Sequence, residues 1–277
     1  MTKTNSFSLE EYLNKEFSNL SLRHEAKWVL EELSLLDADL ARVKASEIVE
    51  RRKTGEPLAY ILGHWAFRNL NLEVGPGVLI PRPETEELVG HVLKHVMERA
   101  LQKVKIVDFG SGSGAIAYAL ADELEIPFEI TAVERSQEAF SFLSKNKNTL
   151  NLEKQKNIHL IQSDWNSFEG RDFDIIVSNP PYVSAQEYED LEEEVRSREP
   201  KAALVPENML DPMSAYRELL ALSSVILKKD GALFFEFGPA QEPLWAPLMT
   251  ESQWQVFKDL SGKPRFLYAF DLAKKNS

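Results

Sequence analysis

Five consecutive residues, Ser178-Asn179-Pro180-Pro181-Tyr182, carry the sharpest chemical signal in the chain. They follow an apolar stretch, Phe173 to Val177, that reads as a buried strand. A planar amide or exocyclic amino nitrogen is a poor nucleophile, because its lone pair is delocalised. It attacks when acceptors hold its NH2 group and draw electron density onto nitrogen. The Asn179 side-chain oxygen and the Pro180 carbonyl can supply two such acceptors, preorganised by the restricted backbone of Pro180 and Pro181. The Tyr182 ring offers a flat face to the planar group. The methyl group of a sulfonium donor must then lie in line with that nitrogen, which is a positioning task. Neither a metal nor a covalent nucleophile is required. Asn179, Pro180 and Tyr182 are therefore the candidate catalytic residues, and with Pro181 they form the candidate substrate-binding set. The plain alternative is a proline turn that merely ends a strand. Its place after a strand expected to flank a ligand argues against that.

A second constellation is Val107-Asp108-Phe109-Gly110-Ser111-Gly112-Ser113-Gly114-Ala115. It follows an apolar strand and opens a helix. Glycines let backbone turn sharply and approach a ligand closely. Glu134 lies at the end of the next strand, where a carboxylate can accept from two ribose hydroxyls. Together these describe a nucleoside site at the carboxyl ends of two strands. The turn alone does not choose the nucleoside: Gly110, Gly112 and Ala115 also satisfy the loose dinucleotide pattern of NAD enzymes. Glu134 can also be read as a solvated strand-end acid. Asp108, before the glycines, can brace the loop or meet the cationic end of a methyl donor, and both readings stand.

The elements that must position these groups follow from hydrophobic periodicity. Residues 7 to about 54 read as helical: Phe7, Leu9, Tyr12, Leu13, Phe17 and Leu20 recur at helical spacing, and Ser8 with Glu11 has the form of a capping box. Trp28, Val29, Leu33 and Leu36 mark a second helix, and Val43, Ile48 and Val49 a third. Gly55 and Pro57 end this lobe. Residues 58–83 are punctuated by Gly63, Gly75, Pro76, Gly77, Pro81 and Pro83, and predict a connector with a hairpin over Ala66 to Leu72 and Val78 to Ile80. From Glu84 onward strand and helix alternate. Strands are expected at 104–109, 127–133, 158–162, 173–178 and 232–237, with helices at 85–101, 115–124, 137–148 and 213–227. A terminal hairpin is expected from 253–258 and 266–270, around Gly262 and Pro264. The pattern predicts an α/β fold with a mostly parallel sheet covered on both faces, and an antiparallel edge. The expected domains are an N-terminal helical domain at 1–57, a connector at 58–83 and a large α/β domain at 84–277.

Composition narrows the function. The chain has 277 residues, enough for one large domain and a small one. It has no cysteine, which excludes a disulfide framework, cysteine-ligated zinc and thiol catalysis. The apolar runs are too short to span a bilayer, so no membrane partner is expected. Met1 to Glu11 has no apolar signal region, and a cytoplasmic location is expected. The net charge of −12 argues against a long nucleic acid as main partner, since phosphate neutralisation calls for a basic face. The acidic run Glu187 to Glu199 reads as a solvated face. The histidines, His24, His64, His91, His95 and His159, are scattered without a metal pattern, and no metal is expected.

Further motifs extend the two sites: Glu56-Pro57-Leu58-Ala59-Tyr60-Ile61-Leu62-Gly63, Val78-Leu79-Ile80-Pro81-Arg82-Pro83-Glu84-Thr85-Glu86, Ser163-Asp164-Trp165 and Phe235-Glu236-Phe237-Gly238. With them the chain resembles, over nearly its whole length, the HemK/PrmC family of peptide chain release factor glutamine methyltransferases. The motif over Ile80 to Glu86 is the most specific, because generic methyltransferases lack it. The resemblance implies a Rossmann-like S-adenosylmethionine methyltransferase sheet with a small N-terminal helical domain that docks the release factor. It implies S-adenosylmethionine as cofactor, held by Asp108, Gly110, Ser111, Gly112, Ser113, Gly114, Glu134, Trp165 and Asn179. Trp165 would pack near the adenine, and many members carry aspartate where this chain has Glu134. The implied substrate is the glutamine of the release factor's Gly-Gly-Gln loop, and a monomer without direct nucleic-acid contact is expected. The chain departs from the family after Ala203-Leu204: Val205-Pro206-Glu207-Asn208-Met209-Leu210-Asp211 replaces a glycine-rich stretch near the substrate side. DNA adenine and ribosomal RNA guanine methyltransferases, which also use Asn-Pro-Pro-aromatic sites, are the nearest alternative. An NAD oxidoreductase would leave Asn179 to Tyr182 without a role.

Overall fold

The computed structural model of the chain describes residues 8–250 and 252–270; Phe7, expected in the first helix, lies outside them. Helix α1 (Leu9–Asn19) starts on Ser8, whose hydroxyl accepts from the Glu11 amide while the Glu11 carboxylate accepts from the Ser8 amide. Helices α2 (Glu25–Leu33) and α3 (Ala38–Lys53) follow, the latter capped by Asp37. Leu13, Phe17, Val29, Leu33, Ala45 and Val49 close on one another as a separate small core, which Leu58 joins. So small a core leans on its surroundings. Arg52, buried at the end of α3, grips Glu25 with two nitrogens at 2.8 Å. It also reaches Glu194, far along the chain, at 2.8 Å.

The connector holds α4 (Leu58–Leu62) and the antiparallel hairpin of β1 (His64–Phe67) and β2 (Leu70–Glu73). The hairpin differs from the expected one: it closes within Ala66 to Leu72, and Val78 to Ile80 is not a strand. The tight Arg68-Asn69 turn, with Arg68 in the left-handed region at φ 51°, pairs Phe67 with Leu70 directly. Val78 and Ile80 instead pack on Ala59 and Tyr60, and the Tyr60 hydroxyl donates to the Val78 carbonyl at 2.6 Å.

The larger part runs α5 (Pro83–Glu98), β3 (Val104–Phe109), α6 (Ala115–Glu123), β4 (Phe128–Glu134), α7 (Gln137–Asn146), α8 (Leu152–Gln155), β5 (Ile158–Gln162) and β6 (Phe173–Ser178). It continues through three short helices, α9 (Ala185–Glu189), α10 (Glu193–Arg198) and α11 (Lys201–Leu204). It ends with α12 (Ser214–Ile226), β7 (Leu227–Glu236), β8 (Gln253–Lys258) and β9 (Pro264–Phe270). The sheet order is β5-β4-β3-β6-β7-β9-β8. The first five strands are parallel, and β9 and β8 close the edge antiparallel. The fold is the expected α/β class, a Rossmann-like sheet beside a helical lobe. Strand β7 starts earlier than Ala232 because Leu227 pairs with Phe173 across a bulge.

Neighbouring strand residues point to opposite faces, and both faces are covered. Ile106, Ile175 and Phe234 join the core under α5 and α6, while Val107, Ile176 and Phe235 join the core with Tyr216, Leu219 and Trp245. This is why the central strands read as continuous apolar runs. Gly114 shows how tightly α6 is seated. It has φ 88°, and a β-carbon there would lie 2.1 Å from the Tyr118 ring and 2.9 Å from Leu143. Gly114→Ala is expected to lower the unfolding free energy by about 3 kcal/mol or more, from left-handed strain plus overpacking. Urea denaturation of the two proteins measures this, and an unchanged midpoint would contradict the packing described.

Candidate active site

The site is set by strand register. Phe109, the last residue of β3, pairs with Val133 of β4 on one side and Ser178 of β6 on the other. Gly110, Glu134 and Asn179 therefore emerge at the same level from three adjacent parallel strands. The chain leaves β3 toward β4 but leaves β6 toward β7, so the connections diverge and open a crevice between them. The Ser178 hydroxyl donates to the Phe109 carbonyl at 2.6 Å and fixes the two strand ends together.

A cleft enclosing about 1060 Å³ of empty space, its open mouth included, fills that crevice. One end is lined by Gly110, Ser111, Gly112, Ser113, Glu134, Ser163, Asp164 and Trp165. Asn179 and Pro181 stand beside it, and Leu79, Pro81, Arg82, Thr85, Pro200, Ala202 and Ala203 form the remaining wall. Of the sequence-predicted residues, Asp108, Gly114, Pro180 and Tyr182 do not line the cleft. Gly114 is taken up by helix packing. Pro180 is buried. The Tyr182 ring packs into the core beneath the site, with its hydroxyl 3.4 Å from Glu236 Oε1. Asp108 lies wholly buried behind the glycine turn.

Each lining group is held in place. The Gly112 amide donates to Glu134 Oε2 at 2.9 Å and the Ser136 amide to Oε1 at 2.7 Å. A carboxylate has about four lone-pair sites, so Glu134 keeps capacity for two hydroxyls. The Trp165 indole N–H donates to Glu218 at 2.8 Å, which fixes the ring near Gly110. A β-carbon at Gly110 would come 3.9 Å from that ring. Asn179 Nδ2 donates to Thr85 Oγ1 at 3.1 Å, and Thr85 Oγ1 donates to Glu236 Oε2 at 2.7 Å. The Asn179 side-chain oxygen accepts no hydrogen bond from the described residues.

Two buried carboxyls stand out. No directed hydrogen bond reaches either oxygen of Asp108, because the Ser111 hydroxyl donates to the Asp108 backbone carbonyl. Burial, aided by the charge of Glu134, pushes Asp108 up to about 7; nearby Ser111 and the Ala117 amide soften that push without closing a bond. Burial also pushes Glu236 up to about 7, against the opposing pull of Thr85, Arg265 and Tyr182.

Sequence reasoning missed Thr85, Glu236 and Glu199. Glu236 had a signal, a lone carboxylate inside the apolar run Ala232 to Phe237. Thr85 lies in the motif over Ile80 to Glu86, but nothing in the sequence pairs it with a residue 151 positions away. The acidic run Glu187 to Glu199 is not simply a solvated face. Glu199 is buried, accepts from the Ile80 amide at 3.1 Å and pairs with Arg82, and Glu194 reaches Arg52. Glu199 thus ties the connector to the Pro200–Ala203 wall. The segment that replaces the glycine-rich stretch is also anchored: Met209 packs beside Leu79 and Leu204, and Arg217 holds Asp211 through two bonds of 2.8 Å.

Residues 88–203 match the family model described as "Methyltransferase small domain". The chain is 34% identical over 272 residues to the release factor glutamine methyltransferase of Lactococcus lactis subsp. lactis, covering 96% of each protein. It is 35% identical over 243 residues to the one of Haemophilus influenzae, covering 83% of this chain and 80% of that protein. The chain belongs to the release factor glutamine methyltransferase family. A further member, from Fusobacterium nucleatum subsp. nucleatum, is 37% identical over 227 residues, and the match spans 80% of this chain and 62% of that protein.

The cofactor of such a methyltransferase is S-adenosylmethionine, and the cleft fits it. The glycine turn leaves the strand end open to close approach, Glu134 keeps lone pairs toward it, and Trp165 offers an aromatic face. Neither carboxyl oxygen of Asp108, buried behind the turn, has a directed hydrogen bond, and a cationic ligand bound nearby would favour its ionised form.

The raised pKa of Asp108 has a sign. Between about pH 4 and 7 the folded protein holds this proton and the unfolded chain, near 3.8, does not. The folded state then binds more protons, so stability falls as pH rises through that window. Asp108→Asn is expected to make the fall shallower, by up to about 1.4 kcal/mol per pH unit. Guanidinium unfolding at several pH values between 4 and 8 measures the slope, and equal slopes would place the Asp108 carboxyl at its ordinary value.

Proposed function

We propose that this chain transfers a methyl group from S-adenosylmethionine to the side-chain amide nitrogen of the glutamine in the Gly-Gly-Gln loop of peptide chain release factors. The observation that carries the reading is Asn179. Asn179 lines the cleft together with the glycine turn and with Leu79, Pro81, Arg82 and Pro200, and among the described residues nothing donates to its amide oxygen. When bound, the cofactor supplies an electrophilic methyl group. The residues of this chain do the rest. Gly110 to Ser113, Glu134 and Trp165 hold and orient the donor. The Asn179 side-chain oxygen accepts from the glutamine NH2 and draws electron density onto its nitrogen. Pro181 and the connector wall shape the pocket and exclude water. Pro180 and Tyr182 act from behind the cleft surface, by fixing the backbone that carries Asn179.

A protein substrate suits the charge of −12 better than a nucleic acid does. Among the described residues no helix is long and apolar enough to cross a membrane. We take the enzyme to act as a monomer, in the cytoplasm, with residues 1–57 helping to dock the release factor, residues 58–83 as connector and residues 84–277 carrying the chemistry.

The reading is tested by incubating a purified, unmethylated release factor with the enzyme and S-adenosylmethionine. Mass spectrometry is expected to show one methyl on the Gly-Gly-Gln glutamine, and none with Asn179→Ala. A methyl elsewhere, or undiminished transfer by Asn179→Ala, would overturn it. For the donor half, Glu134→Ala is expected to weaken S-adenosylmethionine binding by about 1–3 kcal/mol, from loss of charged hydrogen bonds. Calorimetry reads this directly, and an unaltered affinity removes Glu134 from the site.

A further inference from the structure

Behind Asn179 runs a line of buried polar side chains whose hydrogens can be counted. Thr85, in the first turn of α5, is 5% exposed, and Glu236, the last residue of β7, is 1% exposed. Ser178 pairs with Phe235, so Asn179 and Glu236 leave adjacent strands at one level, with Thr85 bridging them. A hydroxyl has one proton. That of Thr85 is committed to Glu236 Oε2 at 2.7 Å, and an ionised carboxylate can only accept. Toward Asn179, Thr85 is therefore only an acceptor. The Asn179 NH2 must face Thr85, at 3.1 Å, and its oxygen must turn away from it. A reversed amide would set its oxygen against the lone pairs of Thr85 and its NH2 toward the cleft. It would then repel the NH2 group it has to hold.

We propose that Glu236, acting through Thr85, is the positioning residue that fixes the polarity of the Asn179 amide, so that the site takes the NH2 end of a substrate amide and rejects its oxygen end. The catalytic consequence rests on the methyl-transfer reading above, whereas the hydrogen-bond order belongs to the free protein. Several groups face Glu236. Tyr182 donates to Oε1 at 3.4 Å, and Tyr216 of α12 donates to its backbone carbonyl at 2.7 Å. Arg265 of β9 favours its charge while itself paired to Asp259, and Glu84 of α5 opposes it. Burial leaves Glu236 pushed up to about 7. Once protonated, Glu236 can donate to Thr85, and the Thr85 proton is released to turn toward Asn179. The order that holds the amide is then lost.

The test uses the full-length enzyme with Thr85→Val, Thr85→Ser and Glu236→Gln. With release factor as substrate, Thr85→Val is expected to lower kcat by about 10-fold or more, with KM and cofactor affinity within about 3-fold. Thr85→Ser is expected to restore kcat. Unchanged kcat in Thr85→Val overturns the relay. So does a matching loss in both variants with cofactor affinity falling alongside, since that describes a merely structural residue. The second arm needs no substrate. The side-chain NH2 signal of Asn179 in the 15N spectrum, assigned by its loss in Asn179→Ala, is expected to shift with a midpoint near pH 7 in the wild-type protein. It is expected not to titrate in Glu236→Gln. A signal that stays fixed in the wild-type protein overturns the proposal. A wild-type enzyme that methylates no release factor glutamine defeats the functional reading instead, and the spectrum still decides the relay.

Discussion

The structure depends on the pairing of β3 with both β4 and β6. Parallel strands in register deliver their carboxyl ends to a common level, and Phe109 is matched by Val133 and Ser178. The three residues that follow those positions, Gly110, Glu134 and Asn179, have no other reason to meet. Shifting one strand by a single residue would turn its side chains to the opposite face and move its end by about 3.3 Å. Such a shift exceeds the tolerance of in-line transfer, where an error of about 1 Å already matters. Register is protected because both faces are buried: Ile106 and Val107, Ile175 and Ile176, and Phe234 and Phe235 each divide between two different cores. The chemistry is thus placed by apolar packing well below the site.

The far wall is built by a different force. Leu79, Pro81 and Arg82 come from the connector, and Pro200, Ala202 and Ala203 from the segment after β6. Neither belongs to the sheet. Glu199 joins them, accepting from the Ile80 amide and pairing with Arg82 while almost wholly buried. Arg52 does the same one layer out, with Glu25 inside the helical lobe and Glu194 beyond it. Buried ion pairs add little net stability, since desolvation offsets the attraction, but removing one partner strands the other charge. Here they specify geometry: the helical lobe, the connector and the cleft wall are fixed to one another by carboxylates with few alternative partners.

What could be read in advance divides along the same line. The central strands, the glycine turn and Asn179 to Tyr182 were legible because each is a local signal: a run of apolar residues, a φ requirement or a rigid dipeptide. The roles of single residues within those motifs were less so. Gly114 sits in the glycine turn yet serves Tyr118 and Leu143, and Tyr182 turns its ring into the core. A motif fixes where a backbone goes, and which side chains face the ligand is decided by packing against distant elements. The connector hairpin was misplaced for a related reason. Val78 and Ile80 are apolar enough for a strand, but their burial partners, Ala59 and Tyr60, lie in a helix. Thr85, Glu199 and Arg52 were illegible because their meaning lies wholly in partners far along the chain.

Asp108 and Glu236 bring these strands of reasoning together. Both carboxyls are buried at the site, and burial holds both near the middle of the pH scale. A sequence selected only for stability would replace each with an apolar residue, because unpaired or half-paired buried charge is unfavourable. Their position beside the two halves of the cleft gives the reason for keeping them. On the methyl-transfer reading proposed above, Asp108 in its ionised form favours a cationic donor at the glycine-turn end. Glu236 sets the order of hydrogen bonds at the acceptor end. In a sheet so thoroughly apolar, polar groups at the ends of β3 and β7 act with little screening, and a single proton on either one alters the half of the site it serves.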